Sequence, residues 1–151
     1  MERGRKGMEK INTIKAIILT IIGTLGSIVT KWFGGWTEDL TTLIIFMGID
    51  YLMGLAIAAF WKKSGKSKTG ALNSISAWQG LIRKGCSLLV VLVGYRLDLA
   101  IGTDYIKTAV IIAFITNEAI SIVENLGIMG IPLPSTITKA IDVLKSKSEG
   151  E

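Results

Sequence analysis

The sequence predicts an all-α, polytopic membrane protein with three to four transmembrane helices and a short C-terminal amphipathic helix. Three observations carry this. Half of the 151 residues are hydrophobic. They gather into blocks separated by short charged loops, not into strand or amphipathic periods. One block, Thr41–Trp61, is apolar throughout except for Asp50, and about 20 such residues cross a bilayer core as a helix.

That central block sets the pattern for the rest. A charge in mid-span costs roughly 2.5–3.5 kcal/mol even on lenient insertion scales, so Asp50 is expected to face protein or water. Gly54 and Ala58 follow at i+4 and i+8 on the same face, where small residues let another backbone approach. The helix is expected over 40–61.

The chain before it begins with a basic cytoplasmic N-terminus, residues 1–15, carrying Arg3, Arg5, Lys6, Lys10 and Lys15. Ala16–Thr30 is apolar, and a basic start before a short apolar run resembles a signal peptide. No A-x-A-like site follows; the exit is Lys31-Trp32-Phe33-Gly34-Gly35-Trp36. The block therefore reads as a retained helix over about 14–33, with Trp32 and Trp36 in the interfacial aromatic belt. Thr20, Gly23, Thr24, Ser27 and Thr30 share one side. That side is either a polar face for helix contacts or a pore lining, or it is ordinary small-residue packing, with Gly23 and Ser27 as the packing positions.

After the central helix comes a basic segment, 62–84, with Lys62, Lys63, Lys66, Lys68, Arg83 and Lys84 and no acid. Nucleic-acid binding is one reading of such a run. Beside spanning helices the positive-inside rule explains it better, as a cytoplasmic loop. The third helix is expected over 85–101, interrupted by Arg96, which is shallow enough to snorkel, and Asp98. The fourth is expected over 106–123. Asn117, Ser121, Glu124 and Asn125 fall on one face near its end, with Glu118 about 100° away. Such a face can cross-link helices, line a pathway, or mark the exit into water. The transmembrane region thus covers 16–123. Residues 124–151 form a cytoplasmic C-terminal segment in which Gly127, Gly130, Pro132 and Pro134 end the helix. Ser135 or Thr136 then caps an amphipathic helix over Ile137–Lys147, placed at the membrane surface or against a neighbour. With four spans and both termini inside, 14 of the 17 Lys and Arg lie on the cytoplasmic side.

Enzyme chemistry has no foothold. Histidine is absent, which removes the commonest general base and metal ligand. No nucleotide-binding loop or Cys/His metal spacing occurs, so no catalytic residue, metal or cofactor is expected. Cys86 is single and reads as a small apolar side chain. Transport is harder to set aside, because Asp50, Asn117 and Glu118 are the residue types that ion paths use.

Three clusters resemble the toxin-secretion/phage-lysis holin family. They are Asp50-Tyr51-Leu52-Met53-Gly54-Leu55; Ser74 and Ser76 through Gly80 to Arg83-Lys84; and Asn117-Glu118, Ser121, Glu124-Asn125, then Gly130, Pro132 and Pro134. The resemblance spans roughly residues 40–145. It implies a small membrane protein that homo-oligomerises in the bacterial inner membrane and opens lesions, serving an endolysin or a secreted toxin as functional partner. Asp50, Asn117 and Glu118 would then be costly in a lone protomer and relieved on assembly. The alternatives are a small oligomeric ion channel or transporter and an antiholin-type regulator. Met8 is a candidate second start: residues 2–7 add a net +2, which resists transfer of the terminus across an energised membrane, as in holins that pair short and long forms. Arg3-Gly4-Arg5-Lys6-Gly7 is also what a purine-rich ribosome-binding site would read as if translated, which leaves Met8 as the sole start.

Overall fold

A computed structural model describes residues 2–61 and 73–149, with side chains over 11–61 and 73–147. All regular structure among the described residues is helical. The chain divides into two compact units, Met1–Trp36 and Thr37–Glu151.

The first unit is one long helix, α1, Glu2–Trp32. From Ile11 onward every side chain in it is exposed except the half-buried Thr30. Thr20 and Ser27 turn their hydroxyls back to the carbonyls of Ala16 and Gly23, which satisfies them without a neighbour. A Cβ added at Gly23 would meet nothing within 4 Å. The helix closes on Gly34, whose φ is 74°. The Gly35 amide there reaches Thr30 O and the Gly34 amide reaches Lys31 O, the paired bonds that satisfy a helix's last carbonyls.

The second unit holds α2 (Glu38–Ala56), α3 (Ser74–Ile101), α4 (Ile106–Met129) and α5 (Ser135–Glu149). α2 continues without a break into a wider π-helical turn, Ile57–Trp61. Leu40, Leu43 and Met47 of α2, Val91 of α3, Ile111, Ile115 and Ala119 of α4, and Ile57 and Ala58 of the π turn form the core. α4 is the hub, touching α2, α3, α5 and the π turn. α3 and α4 run antiparallel, with Lys84 meeting Glu118 and Asp98 meeting Ile106 and Lys107.

Among the described residues three helices are long and apolar enough to cross a membrane: Ile11–Trp32, Glu38–Trp61 and Ile106–Met129. α3 is not among them. It is 28 residues long but carries Arg83, Lys84, Arg96 and Asp98. It also starts earlier than the apolar run predicts. Asn73 caps it, its side chain accepting from the amides of Ile75 and Ser76. Arg83 and Lys84 therefore sit in a helix and not in the basic loop, while Lys62, Lys63, Lys66 and Lys68 lie outside the described residues. α4 likewise runs on to Met129, beyond the expected end at 123, because Gly130 at φ 75° supplies its terminus.

Candidate functional site

The polar residues of α2, α3 and α4 converge on one cluster. Lys84 Nζ donates to Asp50 Oδ2 at 2.9 Å and to Glu118 Oε2. Asn125 Nδ2 donates to Asp50 Oδ1, also at 2.9 Å. Asp50 is 5% exposed, and the Lys84 and Glu118 side chains are 15% and 14% exposed. One lysine thus bridges two carboxylates from two different helices, and an amide occupies the remaining oxygen of the more buried one. The cluster carries a net charge of −1 with its hydrogen bonds made internally, as a buried charge requires. Beside it the Tyr51 hydroxyl reaches Ala77 O at 3.4 Å, and a Cβ at Gly80 would sit 3.7 Å from the Tyr51 ring. Asp50 and Tyr51 of α2 thus meet α3 over residues 77–84.

A second polar joint locks the α3–α4 hairpin. The Asp98 carboxylate accepts from Thr103 Oγ1 (2.7 Å), Ile106 N (3.0 Å) and Lys107 N (2.8 Å), so it caps the first turn of α4 from the end of α3. Gly102, at φ 74°, makes the turn; a side chain there would strain the backbone. Gly94 is where the two helices touch: an added Cβ would lie 3.3 Å from Lys107 Cα. Lys107 Nζ rests 5.7 Å from the centre of the Tyr95 ring.

The sequence-predicted residues divide sharply. Asp50, Glu118 and Asn125 are brought together. Asn117 and Glu124 are exposed, each one 100° step around α4 from Glu118 and Asn125, and Ser121 is half-buried. Glu118 and Asn125 are seven apart, as are Asn117 and Glu124, so each pair shares a face. The grouping of Asn117 with Asn125 is corrected by one helical step. Of Asp50, Asn117 and Glu118, expected to be costly in a lone protomer, Asp50 and Glu118 have Lys84 and Asn125 as partners within the chain. Gly54 is not the close-approach glycine of this unit, since a Cβ there would meet nothing within 4 Å; Gly94 takes that part. Ala58 is buried in the π turn. Cys86 is exposed.

Lys84 was concealed by its position at the end of a basic run. The signal that finds it is the helical period Ile75, Trp78, Leu81–Ile82, which carries the third helix back through residue 84 and leaves Lys84 opposite a mid-span acid. Asp98 reads as an interruption until the turn that it caps is seen.

The family model for the bacteriophage holin family matches residues 27–146. A 14.9 kDa protein from the nagH 3′ region of Clostridium perfringens is 37% identical over 128 residues, covering 83% of this chain and 91% of its own. A protein of Bacillus phage phi105 named as a probable holin is 32% identical over 116 residues, covering 76% of this chain and 80% of its own. A Listeria innocua protein is 30% identical over 137 residues, covering 89% and 92%. No solved structure matches. With a matched stretch that takes in α2 to α4, most of α5 and all four residues of the charged cluster, the chain is a membrane protein of the bacteriophage holin family.

Proposed function

We propose that this chain is a holin that permeabilises the bacterial cytoplasmic membrane: it accumulates as separate inserted chains, homo-oligomerises, and opens lesions that release an endolysin or a secreted toxin. The observation that carries this is the closed cluster of Asp50, Lys84, Glu118 and Asn125. It hides the central charges of three helices inside one chain, so a lone protomer presents lipid with mainly apolar surface. Such a protomer can accumulate without leaking. Association then draws on the apolar side chains of α1 from Ile11 onward and on the outward Asn117 and Glu124 of α4. Amides and small polar groups bond across helices in lipid.

Four crossings with both termini cytoplasmic fit the same picture. The antiparallel α3–α4 pair puts the C-terminal end of α4 at the end where α3 begins, which the basic 62–73 segment precedes in sequence. α3 crosses as the partner of α4, with Lys84 and Asp98 turned into the bundle and Arg96 near its end.

The test is inducible expression in a bacterium that also makes a cytoplasmic endolysin, following culture density and escape of a folded reporter enzyme. Abrupt lysis that needs both proteins, with reporter release, is the expected result. Loss of membrane potential without lysis or release would replace the protein-passing lesion with an ion channel. No effect at confirmed membrane expression would make the chain a regulator.

A further inference from the structure

α5 lies where a bilayer would not tolerate it. Thr116 sits near the middle of α4 and is 4% exposed. Its Oγ1 donates to Ile112 O of its own helix at 2.8 Å and lies 3.2 Å from Leu144 O of α5, so α5 folds back along α4 in the opposite direction. At 1.5 Å per residue, the stretch from Thr116 to Met129 places Leu144 about 20 Å along α4 from its C-terminal end. A hydrocarbon layer of about 30 Å around α4 would then enclose Lys139, Asp142, Lys145 and Lys147, all of which are exposed on α5. Charges cannot stay there against lipid. α4 crossing the bilayer and α5 docked on it therefore exclude each other.

The chemistry of α5 shows where it goes. At 100° per residue, Ile137, Ile141 and Leu144 centre one face, and Lys145 and Lys147 flank it at roughly 80° on either side. Ala140 widens the apolar face, and Lys139 and Asp142, with Val143 beside Lys139, lie on the other side. A helix with an apolar face bordered by lysines rests in the headgroup layer, stems down and ammonium groups up. Even when docked, α5 leaves Ile137 45% exposed, so α4 covers only part of its apolar face. The Gly130–Pro134 connection, with Gly130 at φ 75° and Pro132 and Pro134 after it, lets α5 re-aim without disturbing α4.

We propose that α5 is a membrane-surface helix whose partner is an anionic lipid leaflet, and that it leaves α4 when α4 crosses the bilayer. This rests on the reading of α4 as a spanning helix. Its movement bares the strip of α4 around Thr116, so insertion itself exposes a surface that the docked chain keeps covered.

The experiment uses the full chain with Cys86→Ser, Thr116→Cys and Leu144→Cys. Oxidative cross-linking of the two introduced cysteines is measured in mild detergent and in phosphatidylethanolamine–phosphatidylglycerol vesicles, with protease protection of α4 followed in parallel. The expected result is cross-linking in detergent that falls at least about fivefold in anionic vesicles in which α4 is protected, and recovers when Lys139, Lys145 and Lys147 are changed to Gln. Undiminished cross-linking with α4 protected overturns the release of α5. Absence of cross-linking in detergent overturns the docked state. An unprotected α4 overturns the spanning reading, and the release of α5 with it.

Discussion

Replacing Lys84 by methionine keeps the length of the stem and removes the cation that Asp50 and Glu118 share. Two carboxylates on facing helices are then left close together with no counter-charge between them, and Asp50 keeps only the Asn125 amide. Removing one partner of a buried pair costs about 3–5 kcal/mol. The cluster is not fully dry, since Lys84 and Glu118 retain 15% and 14% exposure, so the lower end, about 3 kcal/mol, is expected. The assay is a double-mutant cycle in micelles, with unfolding by added SDS followed by far-UV circular dichroism. Lys84→Met with Asp50→Asn should recover more than about 1 kcal/mol relative to the sum of the single changes. Adding Glu118→Gln should recover most of the remainder, because an uncharged cluster strands no ion. The reasoning is refuted if Lys84→Met costs under about 1 kcal/mol, or if the single changes simply add. In lysis assays, a loosened protomer should shift the onset of lysis, and the neutral triple variant should bring it back toward the original schedule.

Three further predictions follow from the helix contacts. Gly94→Leu should destabilise the second unit by about 1–3 kcal/mol, read by the same SDS titration, because its side chain would be driven into the backbone at Lys107; Gly94→Ala should cost far less, since its single methyl needs a shift of only a few tenths of an ångström and alanine favours the helix. Asn125→Leu should cost roughly 1.5–3 kcal/mol for the lost bond to the Asp50 carboxylate, whereas Asn117→Leu, on the exposed face, should leave protomer stability within about 0.5 kcal/mol and act on cross-linked oligomer yield and lysis timing; equal stability losses would refute the division into two faces. Asp98→Ala should loosen the α3–α4 turn, which hydrogen exchange would show as lost protection confined to the amides of Ile106 and Lys107.

Much of this molecule is written in one dimension. Blocks of apolar residues punctuated by Gly34–Gly35, Gly102 and Gly130–Pro134 specify the helices, because spanning length and chain breaks are local properties. The same blocks mark three helices as able to cross a membrane, and the motifs around Asp50 and Asn117–Glu118 carry the family resemblance. What the sequence leaves open is direction around each helix axis. Asn117 and Glu118 are adjacent, both polar and both in mid-helix, yet one faces out and one faces Lys84; a 100° step separates them, and only the packing of α4 against α2 and α3 chooses between the two. Lys84 looks like one more loop cation until α3 brings it beside two acids that lie 34 residues away on either side. Gly54 and Gly94 are both glycines in apolar helices, and only the approach of Lys107 makes Gly94 the tight one. For the same reason amphipathicity identified α5 as a surface element, while its seat on Thr116, and the conflict between that seat and a bilayer, emerge only once two consecutive helices fold back side by side.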